Sequence, residues 1–575
     1  MANIFNSYSG AVPRKNHFNL SHTCKTTADF GLLVPVLVQD VLPNDTFKLS
    51  MSSLIRFAPL IAPMMSEVDV YFHAFFVPER IVWDATEDFF TGAHKGRALP
   101  SQNIPERPRM FFNNGSILTP ENANLVDRGI LVNSLADYLG FQTAPAGSDP
   151  EVVELDEMPF RVYQKIWSDY YMDENLSYLS GDQTVTDILE EVYEQSGVRN
   201  VYNTLTPDVT QLMRLRYRAW KKDYFTSALP FAQKGDDILI PGSGGATSFT
   251  NGRVYVAPER GDGYLTPFGL SPTSGTPALI QSARGGRFGI GFEDSEEVMS
   301  LSELSFNPTT LNAYLNSGQV DQGTIRDLRR AMAAQRWLER KAVGGSRYQE
   351  QNLAMFGIRG SDARLQRAEF LGGIKNPVVV SQVLQTSETT GNSPQGNPSG
   401  NAISAGAGFI FRKTFEEYGW IMVLMSVLPK ADYIQGTPRM YMRKDIYDFY
   451  WPQFAHIGEQ PIYKGELYTE YNSDGYGTDG TGINGTNYGT FGYTPRYAEY
   501  RFRNNRIHGD FRESLQYWTL ARDFSEQPTL NGDFVSARAS NRVFAVPTSN
   551  YRHLWCDIAF RLDALRPIPK YAENL

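Results

Sequence analysis

The chain is short of cysteine and of clustered histidine, and each shortage closes a class of function. Only Cys24 and Cys556 occur in 575 residues. That leaves room for one bridge at most and excludes the disulfide framework of a small secreted domain. The seven histidines are scattered. His22 and Cys24 stand close enough to suggest metal ligands, but no second pair follows at zinc-finger spacing. There is no HExxH, CxxC or GxSxG. Acidic neighbours such as Glu190-Glu191 and Glu416-Glu417 fall on expected helix or strand surface, where solvation outweighs catalysis. No metal, cofactor or catalytic site is expected.

Long apolar runs are missing as well. Even Trp420 to Leu428 (WIMVLMSVL) is strand-sized, far below the roughly 18 residues of a membrane span. The opening MANIFNSYSGAVPRKNHF has no apolar core of a signal peptide. These features predict a soluble protein made in a reducing cytoplasm, with no membrane insertion. A net charge of −9 excludes an indiscriminate polyanion binder, so any nucleic-acid contact must be a local patch.

What the chain does have is aromatic β-texture. Aromatic residues make up 13% of it, with 31 Tyr and 35 Phe, which suits a β-rich protein with long ordered loops. The length favours two or more domains, or one domain with large insertions. The stretch Glu67 to Pro78 (EVDVYFHAFFVP) organises the rest. Val68, Val70, Phe72, Ala74 and Phe76 share one face; the other starts polar and turns apolar through Tyr71, His73, Phe75 and Val77. Two greasy faces predict a long central strand, covered by a second sheet on one side and by protein on the other. Before it, Phe30 to Val41 carries Pro35, which predicts an edge or a bulge. Pro43-Asn44-Asp45 supplies a turn, and Thr46 to Ser53 alternates again. The texture returns at 408–414, 418–428, 440–450 and 554–562. Strands therefore bracket the chain, and its two ends are expected to share one core.

Helical signals lie between. Ser134 and Gly140 bracket a short helix, and Pro159 opens one striped by Phe160, Tyr163, Trp167 and Tyr170. Thr184 opens another, with Val185, Ile188, Leu189 and Val192 on one face, and Val209 to Trp220 continues the series. A basic helix starts at Thr324, with Leu328, Met332, Gln335 and Leu338 on one stripe. Its Arg326, Arg329, Arg330, Arg336, Arg340 and Lys341 suit a solvated or subunit-facing surface better than a grip on nucleic acid. Residues 236–322, rich in Gly, Ser, Thr and Pro, read as an exposed inserted subdomain. Within it no phosphate-binding glycine motif occurs. Residues 387–408 and 472–492 read as loops.

One stretch points to a polyanion. Arg496 to Trp518 carries Arg496, Arg501, Arg503, Arg506 and Arg512 against Glu499, Asp510 and Glu513, with Tyr497, Tyr500, Phe502, Phe511 and Tyr517 interleaved. Guanidinium groups pair with phosphates while aromatic rings stack on exposed bases, the combination that single-stranded nucleic acid rewards. Arginine and tyrosine are also enriched where subunits meet, and ion pairing across such a contact is the competing account. Arg501, Arg503 and Arg506 are the residues expected to face a genome.

Several long stretches resemble one family. They are HTCKTTADFGLLVPVLVQDVLPNDTF (22–47), FFVPERIVW (75–83), MPFRVYQKIWSDYYMDENL (158–176) and KKDYFTSALPFAQKG (221–235). TIRDLRRAMAAQRWLERKAVGGSRYQE (324–350), DARLQRAEFLGG (362–373), RKDIYDFYWPQFAHIGEQ (443–460) and FGYTPRYAEYRFRNNRIHGDFR (491–512) complete the set. The chain resembles the major capsid proteins of the Microviridae, small icosahedral single-stranded-DNA phages, and most of all their gokushovirus branch. The resemblance implies a mainly β fold, an eight-stranded viral jelly roll with large helical and loop insertions. It also implies a T=1 shell of sixty copies around circular single-stranded DNA, with minor virion proteins and a host cell-surface receptor as further partners. The expected divisions are an arm at 1–28, first jelly-roll strands plus a helical insertion at 29–235, a surface protrusion at 236–322, a helical and loop insertion at 323–407, and the remaining strands at 408–575. In that branch a large insertion placed like 236–322 forms protrusions at the three-fold axes, which makes Tyr255, Tyr264 and Phe268 candidates for contacts there or for host attachment. Outside the family, a secreted-type β-rich glycan-binding protein or glycosidase would share the aromatic texture, but it would carry a signal peptide and a carboxylate pair in a cleft. A simple DNA-binding protein would be more basic.

Overall fold

Alternation of buried and exposed side chains builds the larger part of the molecule. The structure is a computed structural model and describes residues 14–91, 93–94, 97–98, 105–113, 132–143, 152–176, 212–235, 280–283, 287–290, 299–300, 325–343, 354–355, 367–384, 398–456, 458–471, 485–546 and 551–570. Two compact units are present, Met1–Gly235 with Leu338–Leu575, and Asp236–Trp337.

The first unit holds two antiparallel sheets of six and four strands. Their strands are β1 (Asn16–Asn19), β2 (His22–Ala28), β3 (Val34–Val41), β4 (Thr46–Phe57), β5 (Val68–Pro78), β6 (Glu369–Pro377), β7 (Val379–Leu384), β8 (Pro398–Thr414), β9 (Gly419–Pro429) and β10 (Leu554–Arg566). One sheet runs β10-β4-β8-β7, with β1 and β2 both paired along the outer side of β10; the other runs β6-β5-β9-β3. From β2 to β5 and again from β8 to β10 the chain passes between the sheets at each step, and neighbours come from opposite ends of the chain: β10 pairs β4, and β9 pairs β5. This order is consistent with a jelly roll, in which strands distant in sequence lie side by side. Residues 16–28, read from sequence as part of an arm, run as paired strands on the sheet edge.

Each strand's composition explains its place. In β4, Phe47, Leu49, Met51, Ile55 and Phe57 are buried while Lys48, Ser52 and Arg56 face out, so one sheet keeps a solvated face. β5 lies between β6 and β9; one face is buried along all 11 residues, and the other is half-buried at Asp69, Tyr71 and His73 and buried from Phe75 on. Its Phe76 packs on Phe415 at 4.5 Å between ring centroids, and Phe415 packs on Phe47 of β4. Phe75, on the opposite face, meets Tyr170 of the helix α1 (Met158–Tyr170) at 4.8 Å. Cutting such a phenylalanine to alanine removes about 3–5 kcal/mol. β3 is the sheet's other edge, and its register with β9 slips around Pro35 and Leu37, as a proline that cannot donate to the ladder requires. The two cysteines are free. On paired strands Cys556 sits opposite Thr26 rather than Cys24, and burial pushes its thiol up to about 12.

Three expectations fail, each for a physical reason. Residues 214–220 are extended, not helical, because their backbone groups are engaged elsewhere. Leu33 N–H donates to Arg216 O at 3.0 Å, Arg218 N–H to Gly31 O at 3.0 Å, and Ala537 N–H to Arg218 O at 2.8 Å. Gln164 and Trp167 of α1 donate to Leu212, Arg214 and Tyr217 carbonyls on the same segment. Residues 398–408, read as loop, are the first half of the 17-residue β8. Its glycines sit where β8 nears the other sheet: a side chain at Gly406 would strike Asn376, and one at Gly408 would meet Ile374 Cδ1 at 2.9 Å. Residues 440–450, read as strand, form 3-10 turns at Arg439–Tyr441 and Ile446–Asp448, because local side chains take the backbone groups a ladder would use. Asp448 accepts from Lys444 N–H at 2.8 Å and Asp445 N–H at 3.1 Å, and Trp451 Nε1 donates to Ile446 O at 2.9 Å. The short helix after Ser134 is present, its cap oxygen accepting from Asp137 N–H at 3.3 Å. The expected helix after Thr184 lies outside the described residues.

The second unit's described residues are a small antiparallel sheet (Ile280–Ala283, Arg287–Ile290, Met299–Ser300) and residues 325–337 of the helix α2 (Ile325–Val343), whose remaining residues belong to the first unit.

Candidate nucleic-acid interface

The stretch after Arg496 is held by a small second core. Strand Glu459–Tyr463 pairs with Thr490–Pro495, and Asp432–Tyr433 pairs with Asn505–Arg506. Ile462, Leu467, Phe491, Ala498, Tyr433, Phe225 and Phe534 bury together beneath them. At its centre the buried Glu466 accepts from Arg439 Nη1 and from Tyr224 Oη, both at 3.1 Å, and from Tyr463 N–H at 3.0 Å. Burial pushes this carboxyl up, and the Arg439 charge opposes that. An ion pair so enclosed fixes the turn more than it stabilises it, while removal of one partner is costly.

Above this core the chain turns through Tyr497, whose φ of 62° lies in the left-handed region. Such strain persists only where neighbours over-determine it. Here Gln460 does so, accepting from Tyr497 N–H at 3.0 Å while donating to Glu499 at 2.6 Å. The turn sets the Arg496 guanidinium 5.5 Å from the Phe454 ring centroid and 5.2 Å from that of Tyr497.

The five arginines divide by exposure. Arg501, Arg503 and Arg512 are exposed, while Arg496 and Arg506 are half-buried. Arg501 Nη2 donates to Arg496 O at 2.9 Å, Arg506 Nη1 to Gly436 O at 2.9 Å, and Arg512 Nε to Ile507 O at 2.9 Å. Burial above all, with the charges of Arg512 and Arg503, holds the Arg506 guanidinium below its ordinary value. None of the five forms an ion pair with a carboxylate among the described residues, whereas nearby Arg439 and Arg443 both approach Glu499 at 3.9 Å. Burial, then the charge of Glu339, raises the neighbouring Glu459 carboxyl to about 7 against the pull of Arg501. That group is therefore only partly negative at neutral pH.

The structure adds a second rim that sequence reading missed. Tyr441, Tyr447, Phe449, Tyr450 and Trp451 are all exposed, and so are Tyr500 and Phe502 across from them. Arg443 lies 5.2 Å from the Phe449 centroid and 4.6 Å from that of Tyr500, bridging the two rims. Tyr450 packs on Tyr497 at 5.0 Å and Tyr500 at 6.2 Å. The signal was available: MYMRKDIYDFYW interleaves basic and aromatic residues as 496–518 does. Its near-alternation of apolar residues led to the strand reading. The result is a surface of exposed rings and guanidinium groups, chemistry that suits phosphate pairing with base stacking.

The basic α2 is helical as expected, but Leu328 and Met332 on its stripe are exposed, with Arg326, Arg329, Arg330, Arg336 and Arg340 exposed beside them. Tyr255, Tyr264 and Phe268 lie outside the described residues. No group of His, Cys, Asp and Glu that could hold a metal occurs among the described residues, and no helix among them is long and apolar enough to cross a membrane.

Comparison with known proteins decides the family. The family model for Capsid protein (F protein) matches residues 7–575. The chain belongs to this phage capsid family. Capsid protein VP1 of Chlamydia phage 1, a gokushovirus, is 34% identical over 604 aligned residues, covering 100% of this chain and 97% of the relative. Capsid protein VP1 of Bdellovibrio phage phiMH2K is 32% identical, covering 97% and 94%. Capsid protein VP1 of Spiroplasma virus 4 is 29% identical, covering 99% and 96%. A member of this family is a structural protein of the virion, and the mainly β architecture agrees with that role.

Proposed function

We propose that the chain is one of sixty equivalent subunits of a T=1 shell enclosing circular single-stranded DNA, and that the arginine and aromatic surface touches that genome. The observation that carries the reading is the pairing pattern. Arg439 and Arg443 are close to carboxylates, while Arg496, Arg501, Arg503, Arg506 and Arg512 spend their guanidinium groups on carbonyls, rings or solvent. In a chain of net charge −9, arginines left without acidic partners are the natural contacts for phosphate. The proposed role is structural, with no catalytic turnover. Residues 236–322 are proposed as the surface protrusion, with Tyr255, Tyr264 and Phe268 serving host attachment, and minor virion proteins completing the particle.

The test uses Arg501, Arg503 and Arg512, because the half-buried Arg506 ties to Gly436, 70 residues away, whereas the exposed Arg501 and Arg512 side chains bond to groups four to six residues before them. Replacing the three by Gln is expected to leave the subunit's melting temperature unchanged and to lower the DNA content of purified particles, with the loss deepening as salt rises. Particles with full DNA content and unaltered salt sensitivity would reject the genome contact. Shells that fail to close around a stable subunit would assign this surface to contact between copies, the reading its exposed rings also favour.

A further inference from the structure

The six-residue strand β7 (VVSQVL) lies at the end of its sheet, with β8 on one side and no strand on the other among the described residues. Both of its faces are open. Val379 is 62% exposed, Val383 51% and Leu384 48%, and only Val380 is partly covered by the core. The strand thus presents an edge of backbone donors and acceptors and an uncharged, largely apolar set of exposed side chains. Proteins normally blunt such an edge with charge, proline or a bulge, and β7 has none of these within it. The other free edges are protected. β1 and β2 carry His17, His22 and Lys25; β6 carries Glu369 and Lys375; β3 carries Pro35 and Asp40.

We propose that β7 pairs with β7 of a second copy of this chain, antiparallel across a two-fold axis, so that one continuous sheet crosses the contact between two subunits. Three features select this occupant. A member of a capsid family meets further copies of itself at every edge of its shell. A strand without charge meets its own copy without repulsion, which the edges bearing Lys25 or Lys375 cannot do. A closed two-fold contact is self-complementary, and an unprotected edge strand supplies both halves of it.

The register follows from side-chain direction. Residues directly opposite in an antiparallel pair point to the same side of the sheet, so around a two-fold axis their numbers must share parity. Two allowed registers each overlap five residues of β7, centred on Ser381 and on Gln382, and the one centred on Ser381 is favoured because it opposes the two most exposed valines of the strand. It sets Val379 against Val383, Val380 against Gln382, and Ser381 against its own copy. Opposed Cα atoms then lie about 4.5–5.5 Å apart, within the span of a disulfide.

Ser381→Cys in the full chain, assembled into particles and mildly oxidised, is therefore expected to give covalent dimers on a non-reducing gel. The parent chain, with Cys24 and Cys556 present, and Gln382→Cys are expected to stay monomeric. A Ser381→Cys chain that remains monomeric, its new thiol reacting freely with maleimide in intact particles, overturns the proposal. Dimers through Gln382→Cys in place of Ser381→Cys overturn the register. If Ser381→Cys does not assemble, amide exchange on the unaltered protein decides. Slowed exchange over 379–384 in particles relative to free subunits supports the pairing, and equal exchange overturns it. Slowed exchange in particles of a Ser381→Cys chain that never dimerises assigns the edge to another strand and overturns self-pairing.

Discussion

His73 shows how one side chain ties burial to pH. It sits on the helix-facing side of β5, its Nδ1 2.7 Å from Tyr171 Oη, with the rings of Tyr171, Phe75 and Phe370 around it. Burial above all, and then the Arg218 charge, lowers its pKa from 6.5 to about 4. The unfolded chain therefore binds this proton more readily than the fold does. Stability from the neutral imidazole is complete above about pH 6.5 and is lost as pH falls toward 4, a contribution on the order of 3 kcal/mol. The denaturation midpoint of the free subunit is expected to fall across that window, and His73→Gln is expected to flatten the fall while keeping a partner for Tyr171. Identical pH profiles for the two proteins would sink this account. The sequence placed His73 on the strand face that turns apolar, but Tyr171 lies 98 residues away. Alternation reports which face a residue occupies and says nothing about the group that will sit opposite.

At the level of elements, legibility followed the kind of signal. β5, β9 and β10 were plain in the sequence because large apolar residues alternate or run unbroken along them. The first half of β8 was hidden because Gly, Ser and Ala are both the residues of loops and the residues of close approach. Gly406 and Gly408 serve the second purpose, letting β8 near Asn376 and Ile374 of β6. Gly406→Ala is expected to cost about 1–3 kcal/mol, the usual cost of overfilling a packed contact. Adding Asn376→Ala should recover part of that loss although it removes the bond from Asn376 Nδ2 to Ser53 Oγ, since contacting residues couple. Thermal melts of the two single variants and the double variant measure the coupling, and strictly additive losses would show that the sheets are not touching there. The arginine half of the candidate interface was legible from composition. Its aromatic half at 441–451 was not, because its near-period-two texture is the one that buried strands also show.

For the whole molecule, the decisive feature is that the last strand closes the first sheet. β10 lies between β4 on one side and β1 and β2 on the other, with Asp29 accepting from Arg552 Nη1 and His553 N–H at 3.0 Å just ahead of it. Contacts this distant in sequence pay a large loop-closure entropy before they add stability. Removing 554–570 would strip β1, β2 and β4 of their shared partner, and such a chain is expected to be insoluble. Deleting 242–318 is a different operation, because every strand of both sheets belongs to the other unit. That subunit is expected to fold with an unchanged far-ultraviolet spectrum and a melting temperature within a few degrees of the parent. Its shells are expected to assemble, hold DNA and attach poorly to host cells, as the host-attachment role proposed for 236–322 requires. A deleted subunit that cannot fold would make the insertion part of the structural core. Shells that attach as well as the parent would remove Tyr255, Tyr264 and Phe268 from host recognition and leave the insertion as a spacer.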